Sequence, residues 1–132
     1  MTASNVEIVR RLFDRFGRDS VEGALELLSD DFVVEVPPSM SAEPDVYEGH
    51  AGALRYFRGF DGLLEDVSFE PLEMIEEGDV VIVQLRLAGR GVASGIEVEQ
   101  VAATLVRVAG GKVNRIEPYP DIEEARAALR GW

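Results

Sequence analysis

Val80-Val81-Ile82-Val83-Gln84-Leu85-Arg86-Leu87-Ala88 is the most apolar strand-like run of the chain. Side chains alternate faces along a strand. One face therefore carries Val81, Val83, Leu85 and Leu87. The other carries Val80, Ile82, Gln84, Arg86 and Ala88. A strand apolar on both faces is covered on both sides. An arginine in such a strand must reach water, an acid or a cavity that tolerates it.

Glu77-Gly78-Asp79 forms a tight turn before this strand, and Val67 to Glu76 is its partner. Gly89, Gly91, Ser94 and Gly95 mark a hairpin loop after it. Ile96 to Val108 is a long strand, Ala109-Gly110-Gly111-Lys112 a turn, and Val113 to Tyr119 the last strand. Ile122 to Leu129 reads as an amphipathic helix, with Asp121 as N-cap and Glu124 three residues on.

Upstream the period changes from 2 to 3.6. Val6, Val9, Leu12, Phe13 and Phe16 predict a helix over 5–16, capped by Ser4 with Glu7 and ended by Gly17. Ser20 to Leu28 predicts a second, short helix. Phe32 to Val36 is a first strand, stopped by Pro37-Pro38. Residues 37–48 hold three prolines and two serines and read as a loop. A third helix over about 51–60 turns Leu54, Phe57 and Phe60 inward. Helices segregated from a strand meander predict an α+β fold, read as one domain over residues 1–132.

Composition excludes several functions. The chain carries 25 acidic against 13 basic residues, a net charge of −12. That disfavours nucleic acid and anionic membranes as partners. It has no cysteine, hence no disulfide or thiol chemistry. No apolar run approaches the roughly 20 residues of a membrane span. The N-terminus is polar, so a cytoplasmic protein is expected.

Further features form an ordered set: Val9-Arg10-Arg11-Leu12-Phe13, Leu27-Leu28-Ser29-Asp30-Asp31-Phe32, Tyr47-Glu48-Gly49-His50, Gly78-Asp79-Val80-Val81, Gly110-Gly111-Lys112-Val113 and Tyr119-Pro120-Asp121. With it the sequence resembles the SnoaL-like branch of the nuclear transport factor 2-like superfamily. The resemblance implies a cone, with three helices of the N-terminal half on the concave face of a curved antiparallel sheet and a short C-terminal helix. It also implies a pocket between helices and sheet, and homodimers through the convex face.

The family's acid–base positions are not matched here. Leu12 and Val36 stand where ketosteroid isomerases keep a tyrosine and an aspartate. Gln84, Arg86 and Pro118 stand where limonene epoxide hydrolases keep an Asp–Arg–Asp set. The SnoaL cyclases use an aspartate near the position of Pro118. The resemblance turns Gln100, Ala102 and Thr104 inward, with Asn114, Ile116 and Pro118 on the last strand. Gln84, Arg86, Gln100, Thr104 and Asn114 are then the polar points of an otherwise apolar pocket, with Val34, Val36 and Phe57 in its wall. Such a lining suits a small hydrophobic ligand with one anionic or carbonyl group.

Two readings of Arg86 follow: an anchor for a ligand oxygen, or an ion pair with Glu99 or a rim acid such as Glu35. His50, Tyr47 and Tyr56 are the remaining groups able to move a proton, each with a plain packing or surface alternative. The lone histidine gives no metal site, and no cofactor is expected. The apolar row Val81, Val83, Leu85, Leu87, Val101, Ala103 and Leu105 is expected to form the dimer face. Trp132 either closes the pocket mouth, crosses a dimer partner or ends free. The function expected is binding of a small hydrophobic molecule without the known catalytic sets. The alternative is an isomerase, cyclase or hydrolase acting on a hydrophobic carbonyl substrate.

Overall fold

The computed structural model of the chain describes residues 4–18, 21–38, 45–61 and 64–131. Ser20, residues 39–44 and Trp132 lie outside these residues, as do the side chains of Phe16, Val21 and Phe60. The elements run α1 (Asn5–Arg18), α2 (Val21–Ala24) with a 3-10 turn (Leu25–Leu27), β1 (Leu28–Val36), β2 (Asp45–Glu48), α3 (Gly49–Asp61), β3 (Leu64–Glu77), β4 (Val80–Gly91), β5 (Glu97–Ala109), β6 (Lys112–Tyr119) and α4 (Ile122–Leu129).

Local chemistry sets the helix starts. The Glu7 amide donates to Ser4 Oγ at 3.2 Å, so α1 begins on the expected cap. Glu124 N donates to Asp121 Oδ1 at 2.8 Å and starts α4 in the same way. The second helix is shorter than its sequence suggests. It tightens into a 3-10 turn, and β1 begins at Leu28, where buried Leu28, Phe32 and Val34 take over. The expected loop over 37–48 also gives up its end, because Asp45–Glu48 pairs with Val33–Val36 as β2.

The six strands form one curved, open sheet in the order β2-β1-β6-β5-β4-β3. The meander β3 to β6 is antiparallel throughout. It ends beside β1, which it meets in parallel, so the sheet is mixed rather than wholly antiparallel. Bulges bend it. Leu72 is an extra residue in β3 between Pro71↔Leu85 and Glu73↔Gln84, and Asn114 is extra in β6 between Val108↔Val113 and Arg107↔Arg115.

Apolar side chains pack on both sides of the sheet. On the concave side Val81, Val83, Leu85, Val106, Val113 and Ile116 meet Ile8, Val9, Leu12 and Phe13 of α1 and Ala53 and Phe57 of α3. On the convex side Val80, Ile82, Ala103, Leu105 and Tyr119 meet Ala125 of α4, with Ile122, Ala128 and Leu129 at the edge. β4 is thus covered on both faces, as its composition requires. The expected placement of the apolar row on the convex face is corrected by the same packing. Val81, Val83, Leu85 and Leu87 lie on the helix side, while Ala103 and Leu105 lie against α4. Only Val101 of that row is exposed, at 47%.

Candidate functional site

The concave face holds a cavity of about 160 Å³. Its wall is Phe13 of α1, Tyr56 and Phe57 of α3, Phe69 of β3, Leu85 and Leu87 of β4, Gln100, Ala102, Ala103 and Thr104 of β5, and Ile116 and Pro118 of β6. No charged side chain is among these residues. An arrangement of this kind binds by excluding water from apolar surface and aims a few polar groups at the ligand.

The ceiling is set by two glycines of α3. Gly49 has φ +69°, which lets β2 turn into the helix without a linker. At Gly52 a Cβ would lie 2.8 Å from the Tyr47 carbonyl carbon. The missing side chain lets α3 lie against β2 and carries Tyr56 and Phe57 over the sheet. Tyr47 and Tyr56 meet edge to face at 5.2 Å, and Tyr56 and Phe57 at 4.9 Å. The Arg55 guanidinium covers the outer face of Tyr47, 4.5 Å from the ring centre. Phe13 and Phe69 close the other side, 6.5 Å apart.

Three lining residues carry polar side-chain groups. Burial, and then the neighbouring Tyr47, push the Tyr56 phenol up to about 12. It therefore stays neutral, a hydrogen-bond donor, at any physiological pH. Thr104 is 4% exposed, and its hydroxyl donates to the Glu117 carbonyl at 3.2 Å. Gln100 is exposed, at the solvent end of the wall.

Of the residues singled out from sequence, Gln100, Ala102, Thr104, Ile116, Pro118, Tyr56 and Phe57 line the cavity. Val34 is fully buried and Val36 half-buried; both belong to the concave core but not to the cavity wall. Gln84 and Arg86 are corrected. They project from the convex face, with Val80 and Ile82, because Val83 and Leu85 take the concave positions. Arg86 Nη2 donates to Glu70 Oε2 at 2.6 Å, and Nη1 lies 3.5 Å from Glu99 Oε1. The hydrogen bond to Glu70, then the charges of Glu70 and Glu99, raise the Arg86 pKa further. Asn114 is likewise off the cavity. As the bulge residue it breaks the alternation, and its Oδ1 accepts from Arg107 Nε at 3.0 Å.

His50 lies outside the wall, with Nε2 3.0 Å from the Leu28 carbonyl and 4.0 Å from Asp30 Oδ1. Tyr47 backs Tyr56 without lining the cavity. Glu35 pairs with Arg115 at 2.6 Å, not with Arg86. Leu85, Leu87, Phe13 and Phe69 were missed as lining residues. The signal for Leu85 and Leu87 was present, because the parity Val81, Val83, Leu85, Leu87 contains no polar residue and its opposite contains two.

Among the described residues no group of three or more His, Asp or Glu is disposed to hold a metal ion. No helix among them is long and apolar enough to cross a membrane.

Residues 9–116 match the SnoaL-like domain family. The chain belongs to the SnoaL-like family. Solved structures agree on the fold. A SnoaL-like protein described as a polyketide cyclase from Jannaschia sp. is 24% identical, with a TM-score of 0.76 over 95% of this chain and 90% of that one. A nuclear transport factor 2-like protein from Burkholderia pseudomallei is 22% identical, with a TM-score of 0.77 over 93% and 95%. A protein of ketosteroid isomerase-like fold from Catenulispora acidiphila, solved with trimethylamine, is 16% identical, with a TM-score of 0.76 over 96% and 92%. No curated protein matches the sequence. At these identities the likeness carries the fold alone, and a shared fold does not settle the chemistry.

Proposed function

We propose that this SnoaL-like chain binds a small, largely hydrophobic molecule in the cavity between α1, α3 and the sheet. The observation that supports this reading is the wall itself. Nine of its twelve residues are Phe, Leu, Ile, Pro or Ala, and none is charged. Burying apolar ligand surface there is favourable at about 25 cal/mol per Å².

A cyclase or isomerase acting on a hydrophobic carbonyl substrate is the second reading. Tyr56 favours it, because a neutral phenol in an apolar wall can stabilise a developing oxyanion. Its weakness is the missing base. No carboxylate or imidazole lines the cavity among the described residues, and neither Gln100 nor Thr104 titrates in the useful range.

Thermal melting with a panel of hydrophobic ring compounds tests the first reading. A ligand raises the midpoint of the wild type by mass action. Ala102→Phe fills the cavity and abolishes the shift while keeping the fold. A panel that shifts neither protein, or both equally, contradicts it.

A further inference from the structure

We infer that the cavity is a site for a single ring, that it discriminates against fused polycycles, and that Ala102 is the residue that sets this specificity. The inference rests on the proposed function and adds the ligand's size and the side chain that determines it. The cavity measures about 160 Å³. An apolar cavity of about 150 Å³ is enough for benzene. One ring with a short substituent therefore fills this one, and further fused rings stay in water.

The ceiling does not rise to admit more. Phe13 of α1 and Phe69 of β3 stand 6.5 Å apart, and Tyr56 and Phe57 of α3 meet edge to face at 4.9 Å. Lifting one ring breaks its contact with the next. The helix that carries two of them is itself held down, because at Gly52 it lies too close to the Tyr47 backbone to admit even a Cβ.

The floor decides the depth. Along β5, Gln100, Ala102 and Thr104 share the cavity face. Thr104 is 4% exposed and tied to the Glu117 carbonyl, and Gln100 is at the solvent end. Ala102 lies between them and is the smallest of the three. Its partner in the ladder is Leu85, also in the wall, while the pairing of β5 with β6 ends one residue away at Ala103↔Tyr119. The room for a ring lies over the Ala102 methyl, and each carbon added there is taken from the ligand.

Two ketones with the same acetyl group test this: acetophenone, with one ring, and 9-acetylphenanthrene, with three. Both are titrated by NMR against wild type, Ala102→Val and Arg86→Ala. A site open to both would favour the three-ring ketone by more than about tenfold, because its extra rings bury more apolar surface. Acetophenone is instead expected to bind wild type at least as tightly. In Ala102→Val its affinity is expected to fall at least about fivefold, since the added methyl groups occupy the ring's place. Arg86→Ala, on the other face of β4, leaves it unchanged. A tighter three-ring ketone in wild type, or an unmoved acetophenone affinity in folded Ala102→Val, overturns the inference. The wild-type comparison decides it even where the variant does not fold. If acetophenone still binds in either case, the hydrophobic site of the proposed function stands. If neither ketone binds wild type, both readings fail.

Discussion

The guanidinium of Arg86 meets the carboxylate of Glu70 at 2.6 Å, on the face of β4 that the cavity does not touch. The contact depends on one bulge. Counting back from the Glu77↔Val80 turn pair, an unbroken ladder would put Pro71 opposite Arg86. The extra residue Leu72 shifts the register by one and puts Glu70 there. Both side chains are about half exposed, at 40% and 54%, which makes the pair a surface feature. Arg86→Ala is therefore expected to leave ligand affinity unchanged and to lower the melting midpoint only slightly. The same melts on Glu70→Ala should match it. A large loss of ligand affinity in Arg86→Ala would return that residue to the site.

Much of the fold was legible in the sequence, and the inversion of β4 shows where legibility ended. Strand periods, the Glu77-Gly78-Asp79 turn and the caps at Ser4 and Asp121 are local, so they can be read along the chain. Which face of β4 points inward is not local. Val80 and Ile82 are as apolar as Val81 and Val83, because α4 covers them from the convex side. From the sequence both faces are expected to be covered, one by helices and one by a dimer partner. The family resemblance puts the helices over the parity that carries Gln84 and Arg86, against the difference in polarity between the two faces. Asn114 failed for a related reason. A bulge resets alternation, and nothing in Val113-Asn114-Arg115 announces one. On β5, where alternation is unbroken, Gln100 and Thr104 lie in the cavity wall.

Gly52 gives a prediction whose sign is informative. In an exposed helix, Gly→Ala stabilises by up to about 1 kcal/mol. Here the new Cβ would lie 2.8 Å from backbone carbon of Tyr47, which cannot swing aside. Gly52→Ala should instead destabilise by about 1–3 kcal/mol in denaturant titration. It should also weaken ligand binding by displacing Tyr56. A more stable Gly52→Ala would contradict the packing of α3 on β2.

Loss of the α4 cap should be felt at the convex core. Asp121 Oδ1 accepts the Glu124 amide at 2.8 Å. Asp121→Ala should cost about 1 kcal/mol of stability. Hydrogen exchange should then rise first in α4, whose Ala125 is fully buried against the sheet. Exchange that rises equally in α1 would mean that α4 is not a separate unit.

Tyr56 predicts a loss of stability in alkali. Its phenol ionises near 10.0 when unfolded and at about 12 when folded. Between these values the folded state holds the proton that the unfolded state has released. The contribution is therefore complete below about pH 10 and disappears as pH rises toward 12. Tyr119 shifts the same way, from burial and from the Glu117 carboxylate that accepts its hydrogen bond. Phenolate absorbance should show late ionisation, and Tyr56→Phe should remove one late step. A stability profile in Tyr56→Phe as steep as in wild type would count against a buried Tyr56.

The central claim is that ligand enters the concave cavity and meets its apolar wall. Methyl-labelled NMR during titration with acetophenone tests it most directly. Leu85 and Leu87 methyl signals should move saturably, while those of Val80 and Ile82 on the convex face stay in place. Shifts confined to Val80 and Ile82, or no saturable shift at Leu85 and Leu87, would contradict the account.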